Sequence, residues 1–126
     1  MGEKVNQVGW FEIPVVDMDR ARAFYEHVFG VTLDLHEMGP GLMAWFPMDE
    51  TTVGATGSLV KGEGYTPSSE GIHIYFTAPD IDAHCARAQE KGGAVIVGKM
   101  SIGQEGYIGI VQDTEGNHIG LHSRTG

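Results

Sequence analysis

The chain has 126 residues, 41% hydrophobic and 20% charged, the composition of one globular domain with a real core. Lys and Arg number 8 against 17 Asp and Glu; the net charge of −9 excludes a basic nucleic-acid face and disfavours an anionic membrane. One Cys excludes an internal disulfide, and no apolar run approaches the ~20 residues of a membrane span.

In chain order, Trp10–Val16 is rich in aromatic and β-branched residues and reads as a strand. Asp17 or Asp19 then caps a helix in which Ala21, Phe24, Tyr25 and Val28 recur at helical spacing. Gly30 ends it, and strands are expected over Val31–Glu37, Leu42–Phe46 and Thr52–Val60. Met38-Gly39-Pro40-Gly41 punctuates the first two as a hairpin. Lys61–Gly71 is rich in Gly, Ser and Pro and reads as a linker. The plan then recurs. A strand over His73–Thr77 leads to Asp80 and a helix over Ile81–Lys91, with Ile81, Cys85 and Ala88 inward. Strands follow at Ala94–Met100, Tyr107–Gln112 and His118–Ser123, the last two joined by a turn at residues 113–117.

A shift of 63 residues, half the length, brings the two plans into step. Asp17 then meets Asp80, Met18 meets Ile81, Ala23 meets Ala86 and Gly30 meets Gly93. Each half is β-α-β-β-β, and neither covers its sheet alone. The expected fold is α+β: two tandem modules form a curved, partly closed mixed sheet around a cleft, with the helices outside. Module one spans about 5–60, the linker 61–70 and module two about 71–123 of a single domain over 1–126.

The helix motif DMDRARAFYEHVFG and the closing DTEGNHIGLH, set in paired modules, resemble the vicinal oxygen chelate superfamily. This is the group of glyoxalase I, bleomycin-resistance proteins and extradiol dioxygenases. The resemblance runs from about Val8 to Ser123, and the branch it suggests is that of predicted enzymes related to lactoylglutathione lyase. It implies a divalent metal held in the cleft by one side chain from the first and last strand of each module. Carried onto this chain, those positions are Trp10, Gly57, His73 and Gly120. Only His73 can coordinate, because indole N–H only donates and glycine has no side chain. The resemblance thus leads to an expectation of no usual metal site, with an altered one left open.

Strand alternation sets Glu12 beside Trp10, Tyr75 beside His73, and His118 and His122 around Gly120. Glu12 and His73 are the candidate acid–base pair, since proton abstraction beside a carbonyl needs a carboxylate or imidazole. Glu12 reads equally as a solvated strand residue, and His73 as an orienting donor. Trp10, Tyr75, His118 and His122 are candidate ligand contacts, with Trp45 a further aromatic wall. Two His four apart on a strand lie roughly 13 Å apart, too far for one ion. Cys85 reads as core, and His27 and His84 as solvent-facing.

Two functions stay open. One is a binding protein that holds a small molecule, cationic or aromatic, without metal; the negative charge suits it. The other is a glyoxalase-type lyase or isomerase acting through Glu12 and His73 or an altered metal site. A dioxygenase fits least, since iron needs two His and a carboxylate at positions this chain has lost. The start, MGEKVNQVGWF, has no apolar signal region, so a cytoplasmic location is expected. The resemblance adds a homodimer, with clefts built within one chain or across two.

Overall fold

The computed structural model describes residues 6–126. The first five residues, with the expected start of module one and much of the leader reading, lie outside the described residues. The observed order is β1 (Trp10–Pro14), α1 (Met18–Phe29), β2 (Asp34–Met38), β3 (Gly41–Trp45), β4 (Thr56–Lys61), β5 (Tyr75–Thr77), α2 (Ile81–Glu90), β6 (Ala94–Ser101), β7 (Tyr107–Gln112) and β8 (His118–Ser123). Both halves are β-α-β-β-β. A short 3-10 turn at Gly103–Glu105, not foreseen in the sequence, precedes β7.

Each half makes one mixed four-stranded sheet, ordered β1-β4-β3-β2 and β5-β8-β7-β6. β1 runs parallel to β4 and β5 parallel to β8; the other pairs are antiparallel. The sheets remain two, with β1 and β5 as edges. Several elements are shorter than expected. β5 begins at Tyr75, which leaves His73 in the approach to the strand, and β4 begins at Thr56, because residues 52–55 turn in solvent.

Both helices start as the sequence dictates. The Asp17 carboxylate accepts the Arg20 N–H at 3.0 Å, and the Asp80 carboxylate accepts the Ala83 N–H at 3.1 Å. Gly30 closes α1 at φ 66°, the left-handed conformation that glycine adopts without strain. The inner face of α1, with Ala21, Phe24, Tyr25 and Val28 at 0% exposure, joins Ile13, Ala44 and Leu59 of the first sheet in one core. Ile81, Ala88, Val111 and Leu121 of the second half belong to that same core. Cys85 lies buried in it, and burial, with the Asp82 charge, pushes its thiol upward.

The halves interlock. Phe29 stacks on Phe76 at 4.4 Å, and the Arg87 Nε–H donates to the Val28 carbonyl at 3.0 Å. His27 Nε2 lies 2.8 Å from Glu90 Oε1, so residues one repeat apart touch across the pseudo-twofold. The tightest link is the turn between β7 and β8. The Glu115 carboxylate accepts the N–H groups of Val16 and Asp17, both at 2.8 Å, and the Arg20 guanidinium at 2.8 Å. The Tyr25 hydroxyl donates to Asp113 at 2.6 Å, and the Asn117 amide donates to the Pro14 carbonyl at 2.8 Å. Burial alone would raise the Glu115 carboxyl, but the Arg20 guanidinium, the Asp17 and Val16 N–H groups and the Thr114 hydroxyl outweigh it and hold the group at about 2. Among the described residues, no helix is long and apolar enough to cross a membrane.

His84 departs from its expected place. It is buried, with Nδ1 2.7 Å from the Asp80 carbonyl oxygen and its ring 5.6 Å from Phe29. Packing of α1 against α2 covers a helix position whose polarity alone predicts solvent.

Candidate functional site

The helices occupy one face of each sheet, and the other face carries the candidate site. In β1, Phe11 and Ile13 point to the core, so Trp10 and Glu12 take the opposite face. Register extends that face across the first sheet: Glu12 pairs with Ser58, Ser58 with Trp45, and Trp45 with Asp34. Trp10 meets Trp45 edge to face at 6.0 Å, and His36 lies against the Trp45 ring at 4.0 Å. Trp10 is 38% exposed, whereas Ser58 is at 0%.

This register corrects the position inferred for β4. Gly57 pairs with Phe11 on the helix side, where an added Cβ would run into the Phe11 carbonyl and ring. Ser58, one residue on, holds the place on the open face. The 63-residue offset holds from β1 to β5, yet Glu12 pairs with Ser58 while its counterpart Tyr75 pairs with Gly120. Between these partners the first half runs one residue longer than the second, and that net difference produces the slip. A shared offset tracks elements but not loops, and alternation turns a slip of one residue into the opposite face.

In the second sheet, Tyr75 and Gly120 are register partners, and a Cβ at residue 120 would meet the Tyr75 ring. Glycine there lets the phenol lie across the strand. The His73 and His118 rings come to 6.3 Å, and His118 Nε2 lies 3.1 Å from Gln112 Oε1. His122 Nε2 lies 2.8 Å from the Glu105 carbonyl oxygen, engaged at the far end of β8.

A groove of about 460 Å³ follows the free edge of β1 where the two halves meet. Trp10, Glu12, Ile72, Ile74, Asn117 and His118 are among its walls, and apolar surface dominates. Of the expected site residues, Trp10, Glu12 and His118 line this groove, and His73 reaches it through His118. Tyr75 and His122 are not part of its wall. Glu12 is exposed, and the Tyr65 hydroxyl donates to its Oε1 at 3.1 Å. That bond raises the Tyr65 hydroxyl and folds the linker back over β1. Sequence reasoning missed Ser58, His36 and Tyr65. Period-two alternation from Trp45 could have found Ser58 only with the β3–β4 register in hand.

The donor set can be tested against the metal that the resemblance implies. Trp10, Ser58 and Gly120 lie on strands and His73 in the approach to β5, and of these four only His73 is a good ligand for a divalent cation. Among the described residues, no group of three His, Cys, Asp or Glu side chains is placed to hold a metal ion. The residues present do not fit such a site.

Two β-α-β-β-β modules with a groove at their seam define the architecture. The profile of the glyoxalase/bleomycin resistance protein/dioxygenase superfamily matches residues 7–121, and the chain belongs to this family. The candidate glyoxylase CFP32 of Mycobacterium bovis is 31% identical over 119 residues, covering 89% of this chain and 43% of that protein. The chain thus spans less than half the length of the curated relatives it matches. Among solved structures, TnmS3, an antibiotic binding protein from Streptomyces sp. CB03234, is 26% identical with a TM-score of 0.74, covering 98% of this chain and 100% of that one. Glyoxalase I from Zea mays shares the fold at 19% identity and a TM-score of 0.70, covering 91% of this chain and 45% of that one.

Proposed function

We propose that this protein binds a small planar molecule in the groove at the module seam without the help of a metal ion. The observation that supports the reading is the largely apolar groove itself, with Trp10 on its wall and Trp45 edge to face against Trp10 at 6.0 Å. An aromatic wall binds flat ligands by contact area and by stacking. The net charge of −9 favours a cationic ligand, whose encounter the field would assist. The likeness to an antibiotic binding protein over the full length of both chains supports the same class.

The competing reading is a glyoxalase-type lyase or isomerase, with Glu12 and His73 as acid and base. The groove wall favours binding, because Glu12 is engaged by Tyr65 and His73 is outside the wall. The reading also carries a homodimer in the cytoplasm; the exposed Val53 and Ile72 supply apolar surface for a second copy.

A thermal-shift comparison tests the proposal. Proflavine, a planar aromatic cation, should raise the melting temperature by a few degrees at saturation, and EDTA should not change that rise. The hemithioacetal of methylglyoxal and glutathione should be neither stabilising nor consumed. Turnover of the hemithioacetal would replace the binding reading with the enzymatic one, and a proflavine effect abolished by EDTA would overturn binding without a metal. Sedimentation at micromolar concentration should give twice the 13.6 kDa chain mass.

A further inference from the structure

Among the described residues, four buried side-chain polar atoms have no hydrogen-bond partner: Arg22 Nε, His36 Nε2, Trp45 Nε1 and Ser58 Oγ. Three of these four share one place. Ser58 and Trp45 are direct register partners on β4 and β3, and His36 on β2 lies against the Trp45 ring at 4.0 Å. All three belong to the open face of the first sheet, next to Trp10 and the groove edge. Ser58 and Trp45 thus carry shielded, unpartnered polar atoms on neighbouring strands of one face.

Unmade hydrogen bonds on shielded groups are costly, and folded proteins rarely leave several together. Their chemistry is uneven. Indole N–H only donates, the serine hydroxyl donates or accepts, and an imidazole nitrogen does either according to its tautomer. The cluster therefore suits an acceptor oxygen. Trp45 is held on one side by His36, whereas Trp10 touches it only edge to face and is 38% exposed. Trp10 is the ring free to move aside.

Resting on the binding reading above, we propose that Trp45 Nε1 and Ser58 Oγ form a polar subsite for a carbonyl oxygen on a planar aromatic ligand. Trp10 covers this subsite when the protein is free and lies against the ligand when it is bound.

The two tryptophans of the chain are both in this cluster, so intrinsic fluorescence reports on it. The probes are 9-fluorenone and fluorene, flat ring systems that differ by one ring carbonyl. Fluorenone should quench the emission saturably and bind about tenfold tighter than fluorene. Ser58→Ala should remove most of that preference and leave fluorene affinity unchanged. The same variant should melt no lower than the parent, since it deletes an orphaned hydroxyl. Equal affinity of the parent for both probes, or an unchanged preference in Ser58→Ala, overturns the subsite while leaving the groove reading intact. Failure of both probes to bind also overturns it, and a proflavine shift in the same sample tells whether the groove reading falls too. A marked loss of melting temperature in Ser58→Ala would show the hydroxyl to be partnered within the fold, against the proposal.

Discussion

Single side chains decide both the strength of the clamp and the shape of the site. Glu115 is a fully shielded carboxylate that takes two backbone N–H groups and a guanidinium. The Arg20 guanidinium lowers the carboxyl most, followed by the two backbone N–H groups, and because Arg20 is half-exposed solvent screens its share. Glu115→Gln should cost about 1–3 kcal/mol in urea unfolding. Its folded value of about 2 lies below the usual 4.5, so its contribution is full above pH 4.5 and drains as the pH falls through about 2. Melting temperature against pH should therefore fall less steeply over that window in the Gln variant. Gly120 offers a second test. Gly120→Ala should cost about 1–3 kcal/mol by pushing on the Tyr75 ring, and Tyr75→Ala in the same chain should recover most of it. His84, Ser58 and His36 mark where residue chemistry was illegible in the sequence. Polarity places His84 in solvent, but Phe29 of the other helix covers it, while Ser58 and His36 gain their surroundings from a strand register that local pattern does not carry.

Elements were the most legible level. Two helices with their Asp caps, Gly30 as a stop and all eight strands follow from period, β-branching and turn residues. Their order in two halves led to the family. What pattern could not carry was register, because turn lengths differ between halves and the strand period is two. The misplaced Gly57 is that error in one residue. The corrected register has its own test. Gly57→Ala should lose about 1–3 kcal/mol, because the new methyl meets Phe11 inside the sheet. Were Gly57 on the open face, the same change would be nearly silent in thermal unfolding.

For the whole molecule, the sequence suggested two modules, and the structure joins them into one core through Phe29, Phe76, Arg87 and the turn at residues 113–117. Neither half buries its apolar face alone. Unfolding should accordingly be a single transition, with tryptophan emission from module one and backbone circular dichroism moving together. Two separate transitions would show the modules to be independent. The groove at the seam exists only when both halves are in place, which ties ligand binding to that one transition.

The clamp at Glu115 has a consequence for the birth of the molecule. The N–H groups that begin α1 belong to Val16 and Asp17, and their acceptor lies 99 and 98 residues further on. A ribosome adds residues at roughly 5–20 per second, so the clamp on the entry to α1 becomes available several seconds after the helix and its own Asp17 cap. Through that interval the N-terminal half is exposed with its aromatic face uncovered.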